Sequence, residues 1–129
     1  MSTANPRAAL RNATVTGTVL QLAMVVSGHW VEFIRMNVFA IGGTGISLVA
    51  GVLYARAAHA ARGNAALNGA IAGGACALIG IAVSYLLGDV PAAVLGFGTA
   101  SSVVTGAIGG ALAGGASRAG AGSTGQAVP

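Results

Sequence analysis

Charge is what this 129-residue chain has least of. Six basic side chains, all arginine, and two acidic ones make up 6% of it, against roughly a quarter in an ordinary soluble domain. A soluble fold of this size needs a charged, patch-free surface to stay dispersed, so a soluble enzyme is excluded. The single cysteine, Cys76, excludes a disulfide scaffold, and the shortage of charge excludes a charged disordered chain. Two acids on separate segments, Glu32 and Asp89, make no general acid/base pair, and no His/Cys cluster has metal-ligand spacing. Gly42-Gly43-Thr44-Gly45 lacks the lysine of a phosphate loop. No enzyme, metal or cofactor is expected.

What is present is apolar and small. Hydrophobic residues are 55% of the chain, and glycine (22) and alanine (29) together fill 51 positions. That composition belongs to an all-α integral membrane protein. A bilayer core about 30 Å thick needs roughly 20 apolar residues per helix, and four windows qualify: 14–31, 37–55, 65–87 and 92–113. Helices are expected because lipid offers the backbone no partners, and the windows are too long for barrel strands. Residues 1–13 and 114–129 read as tails, the second of them disordered.

The connectors hold the charge. Arg7 and Arg11 precede the first span, Arg56 and Arg62 lie between the second and third, and Arg118 follows the fourth. Four spans put these five on one side, with Arg35, Glu32 and Asp89 on the other. The positive-inside rule then places both termini in the cytoplasm and the protein in the cell's inner (plasma) membrane. Trp30, Tyr85 and Tyr54 fall near helix ends, as interfacial aromatics do. The high pI is topology, not nucleic-acid binding. No small-residue cleavage site follows Val26, so the first window reads as a span rather than a leader. The Asn12-Ala13-Thr14 sequon lies on the cytoplasmic side, too close to the membrane to be used.

Helices in lipid associate where small residues let backbones approach. Gly43, Ser47, Gly51 and Ala55 form a four-residue ladder in the second span. Gly98, Ser102, Gly106, Gly110 and Gly114 form one in the fourth, with Val104, Ile108 and Leu112 on its other side. The third span has two, Gly69-Gly73-Ala77 and Ala72-Cys76-Gly80-Ser84-Gly88. So many small faces point to a homo-oligomer or to packing on another membrane protein, with a compact monomer as the alternative. The two halves also align at offsets of 57 to 59 residues, either as tandem hairpins in parallel orientation or through shared composition.

Polar side chains inside a span are functional candidates. Thr14, Thr18, Gln21, Gly28 and Glu32 follow helical spacing, broken at Val25; of these Thr14, Thr18, Gln21 and Glu32 could line a polar path with His29 near its mouth. His29 lies three residues before Glu32, within reach of it on one face. Its plainer role, with Trp30, is interfacial anchor. Gln21 sits mid-membrane, where an amide must find a partner. Thr99, Ser101, Ser102 and Thr105 can bond back to their own helix, Asn37 and Asn68 can cap helix starts, and Cys76 can simply pack. Two functions fit: an oligomeric passive channel or carrier for an ion or small solute, or an accessory or scaffold protein that does not transport.

Overall fold

The computed structural model describes residues 5–126, with side chains to Gly114. These residues form α1 (Pro6–Trp30), a π-helical turn (Ile34–Val38), α2 (Phe39–Ala58), α3 (Arg62–Leu86) and α4 (Ala93–Gln126), with no strand among them. The fold is all-α. Ile34–Ala58, Arg62–Leu86 and Ala93–Gly114 are long and apolar enough to cross a membrane. α1 has 25 residues but is not among these three, because arginines, threonines and Gln21 lower its hydropathy.

Helix ends depart from the sequence expectation in instructive ways. α1 starts at Pro6, not Thr14, because Asn5 caps it: Asn5 Oδ1 accepts from the Arg7 and Ala8 amides at 3.1 and 3.3 Å. Pro6 then occupies the first turn, where its missing N–H costs nothing. Residues 6–13 of the expected tail are therefore helix. The connector expected at 32–36 shrinks to one extended residue, Val31 (φ −119°, ψ 102°), followed at once by helical backbone. Asn37 lies inside the π-helical turn and donates to the Phe33 carbonyl (3.1 Å), and Asn68 donates back to Asn64 (3.0 Å), so neither caps a helix. α4 continues past Ala113 to Gln126, through much of the segment expected as a disordered tail. No proline interrupts 92–128, so nothing there forces a stop. The Arg118 side chain lies outside the described residues.

The two tighter turns use left-handed residues. His59 (φ 49°) closes α2, and Gly88 (φ 79°) closes α3 where a side chain would be strained.

Consecutive helices run antiparallel. α1 packs on α2 and α3, α4 packs on α2 and α3, α2 meets α3, and α1 and α4 do not touch among the described residues. α2 and α3 thus form the short diagonal of a rhombus whose far corners are α1 and α4.

The centre of the bundle is built from glycine. A Cβ placed on Gly51 or Gly69 would fall on the Gly106 carbonyl oxygen, one on Gly106 would fall on the Gly69 carbonyl, and one on Gly110 would fall on that of Ala65. Gly109 lies equally close to the Leu48 carbonyl. Three backbones touch here with no room for side chains, the packing that holds helices in lipid. Ser47 belongs to the same seam, donating to its own Gly43 carbonyl (3.0 Å) and to the Gly73 carbonyl (3.3 Å). Ser102 is buried against Gly73. Gly43 faces Gln21 and Met24, and Gly98 faces Ile81. The ladder residues within the helices are therefore spent between helices of one chain, whereas Gly88, counted with a third-span ladder, lies exposed in the turn after α3. Val104, Ile108 and Leu112 point outward.

α1 joins through its own ladder of buried positions, Ala9, Ala13, Gly17, Gln21, Val25 and Gly28. Gly17 lies on Cys76 and Gln21 on Gly80, while Gly51 lies on Gly110, all pairs 59 apart in sequence.

Candidate binding cavity and its charged lid

The two ends of the bundle differ in charge. Glu32 and Asp89 sit at the end where α1 and α3 finish and α2 and α4 begin; this is called the acidic end. At the other, basic end lie Arg7, Arg11, Arg56 and Arg62.

The turn after α3 delivers Asp89. The Leu87, Gly88 and Asp89 amides donate back to Val83, Tyr85 and Ser84 carbonyls, folding the turn over the helix end. The Asp89 carboxylate, its side chain only 6% exposed, then meets groups from the first hairpin. His29 Nδ1 lies 3.1 and 3.0 Å from its two oxygens, and Arg35 Nη1 donates to Oδ1 at 3.4 Å. An ionised carboxylate only accepts, so the His29 proton in this bond sits on Nδ1. Trp30 stands edge-on to the imidazole, with ring centroids 5.7 Å apart.

The sequence spacing puts Glu32 within reach of His29, with the plainer alternative of an interfacial anchor beside a solvated Glu32. The extended Val31 breaks the helix between them, and the sequence spacing no longer applies. Glu32 is 79% exposed at its side chain, and among the described residues it pairs with Arg35 alone, at 3.8 Å. The two acids, separate in sequence, are thus joined through Arg35.

The polar stripe of α1 separates in the same way. Gln21 is buried, and its Nε2 donates to the Gly43 carbonyl at 3.1 Å, a partner on a neighbouring helix. Thr14 and Thr18 are half-buried, with Thr18 Oγ1 enclosed and unpaired. Val25 is buried between Gln21 and Gly28, and Glu32 lies beyond the break. These residues do not line one continuous path. In α4, Ser101 and Thr105 bond back to the Phe97 and Ser102 carbonyls (2.9 and 3.3 Å), whereas Thr99 Oγ1 is buried without a partner.

Below the Asp89 cluster is a cavity of about 530 Å³, within the range of roughly 300–1,000 Å³ usual for small-molecule sites. One wall is α2, with Phe39, Ala40, Gly43 and Thr44; the other is α4, from Ala93 to Ser102. Gln21 of α1 and Ile81 of α3 close the back. No ionisable side chain lines it. The Thr44 hydroxyl is already turned to the Ala40 and Ile41 carbonyls, and that of Ser101 to Phe97. The cavity therefore presents an almost wholly apolar surface. Phe97 at its edge is 79% exposed, and Ala40 and Ala93 are exposed as well.

Sequence reasoning singled out Gln21 and Ser102 but missed Phe39, Ile81 and Phe97 as cavity residues, and Asp89 as the centre of the ion cluster. The signal for Asp89 was visible in part, since both acids fall at the same end as Arg35. Nothing in the spacing announced the cavity. Among the described residues no three His, Cys, Asp or Glu side chains gather as a metal site.

Fold and composition together define the class: an all-α membrane protein of four helices, three of them long and apolar enough to span a bilayer. Compared with protein-family models, curated proteins and solved structures, the chain matches none.

Proposed function

We propose that the protein is a carrier of the inner (plasma) membrane, with both termini cytoplasmic, for a small amphiphilic solute whose apolar body occupies the cavity between α2 and α4. The observation that supports this reading is the cavity itself: apolar, lidded by charge at the acidic end, and stopped at the glycine seam. A passive pore through one chain is less well supported. The amide of Gln21 is engaged, and Ala50, Tyr54, Ala55 and Ala65 are fully buried where a path toward the basic end would run. A homo-oligomer would have to be built on faces other than the ladders, which the chain uses internally.

The accessory reading has one observation in its favour. Trp30, Phe33, Met36, Ile41 and Leu86 are strongly exposed near the acidic end and could pack on another membrane protein as readily as on lipid.

Trans-bilayer movement of fluorescent amphiphiles with anionic, zwitterionic and cationic heads, in proteoliposomes, tests the carrier. At least one class is expected to cross faster than in empty liposomes, and Ser101→Phe, which fills the cavity, is expected to return it to the empty-liposome rate. If every class moves at the empty-liposome rate, or the filled variant transports as well as wild type, the carrier is refuted.

A further inference from the structure

The cavity's opening says where its occupant comes from. At the acidic end the Arg35–Asp89 pair bridges the residues just before α2 and α4, the same two helices that form the cavity walls. Toward the basic end the Gly51 contacts with Gly106 and Gly110 shut it, and Gln21 and Ile81 close the back. The side left is the gap between α2 and α4, edged by exposed Phe97, which faces hydrocarbon in a bilayer. An occupant therefore enters sideways from the lipid rather than from water.

Depth and charge narrow the occupant further. From Ala93 to Ser102 the helix rises ~14 Å at 1.5 Å per residue, about half of a ~30 Å hydrocarbon core. The cavity is one leaflet deep. Its neutral lining suits a hydrocarbon chain and would leave any charge unpaired. The groups at its acidic end carry both signs. Arg35 holds Asp89 at 3.4 Å and Glu32 at 3.8 Å, both longer than the roughly 2.7–2.9 Å of a close charge-assisted bond. A guanidinium has five N–H donors, so Arg35 has capacity for a phosphate, while the exposed Glu32 carboxylate can accept from an ammonium.

We infer that the cavity is a lipid site: one acyl chain of a zwitterionic phospholipid enters between α2 and α4 from the leaflet at the acidic end, with its phosphate on Arg35 and its ammonium on Glu32. A purely anionic head would meet Glu32 and Asp89 with nothing to offer them, and a purely cationic one would meet Arg35. This rests on the carrier reading's cavity and deepens that reading by naming the ligand class.

Native mass spectrometry of the delipidated protein, titrated with palmitoyl-oleoyl phosphatidylethanolamine or phosphatidylglycerol, tests it without measuring transport. Wild type is expected to keep one phosphatidylethanolamine under activation that strips loosely held lipid, and to hold phosphatidylglycerol more weakly. Ser101→Phe and Ala40→Phe, on opposite walls, are each expected to lower that retention about tenfold. Val104→Phe, on an outward face, is expected to leave it unchanged, and Arg35→Gln to lower it about threefold. Should the filling variants fail to fold, Phe97→Trp in a Trp30→Phe background replaces them. Its fluorescence is expected to be quenched by chain-brominated phosphatidylethanolamine at low mole fraction with saturation, while Ile41→Trp is quenched only in proportion to mole fraction.

The lipid site is overturned if both filled variants retain as much lipid as Val104→Phe, or if the two tryptophan positions quench alike. Equal retention of phosphatidylglycerol overturns the headgroup assignment. Lipid retained by a protein that moves no amphiphile refutes the carrier and leaves the site standing. Movement without retention refutes the site alone.

Discussion

The basic half of the bundle and the acidic half are made of the same small residues and do opposite things with them. Toward the basic end Gly51, Gly69, Gly106, Gly109 and Gly110 bring backbones into contact, and no side chain could be added between them. Toward the acidic end, Gly43 and Gly98 meet side chains, Gln21 with Met24 and Ile81, and the walls beside them part around a cavity. The difference lies in what each glycine faces. Glycine against glycine closes helices onto one another, whereas glycine against a long side chain holds them apart by that side chain's length. The acidic end is then held by charge across the gap instead of by contact: Asp89 receives His29 and Arg35.

Substitution can break this contrast at several strengths. Gly106→Leu is expected to be the most damaging change, costing more than about 3 kcal/mol because the backbone it would strike cannot rotate away. Thermal unfolding in detergent reads this, with Gly96→Leu as comparison, since a side chain there meets open space. Equal melting temperatures for the two variants would mean that the seam does not hold the bundle.

Asp89→Ala comes next. It removes the acceptor shared by His29 and Arg35, and a loss of about 1–2 kcal/mol is expected, discounted for the partly exposed partners. Asp89→Asn keeps the shape without the charge, so a melting temperature equal to that of the alanine variant would assign the whole effect to charge. Gln21→Leu should cost less, roughly 0.6–1 kcal/mol for one interhelical hydrogen bond. Its cleaner signature is an upward shift in the infrared stretch of an isotope-labelled Gly43 carbonyl, which loses a donor, and an unaltered stretch would show that the bond is not formed in the membrane. Glu32→Gln is expected to shift stability by less than about 0.5 kcal/mol, because its contact to Arg35 is long and exposed. A large destabilisation would mean that the acidic lid, and not only Asp89, holds the hairpins together.

Much of the fold was legible because bilayer physics acts on composition. Runs of about 20 apolar residues with few charges have little choice but to be helices, and α2, α3 and the first part of α4 fall where the windows place them. The ladders were legible too, since four-residue spacing of small side chains leaves a flat face on any helix. Helix ends were less so. Asn5-Pro6 is a cap and first-turn signal that hydropathy overlooks, and Val31 is an ordinary apolar residue that nevertheless ends a helix. The candidate site was the least legible part. Gln21 could be recognised by its polarity, but its partner, the Gly43 carbonyl, is a backbone atom that no side-chain pattern reveals.

The sequence by itself determined that the chain is helical, apolar and bilayer-compatible, and that its helices carry faces flat enough to touch. Those properties are local: each depends on a residue type and its neighbours within two turns. Which faces touch was decided only in three dimensions. There the ladders turned inward onto one another, His29 turned from Glu32 to Asp89 across 60 residues of chain, and a space opened between α2 and α4. Contact between distant segments depends on crossing and depth. A four-residue period specifies that a helix can be approached closely, and carries no information on what approaches it.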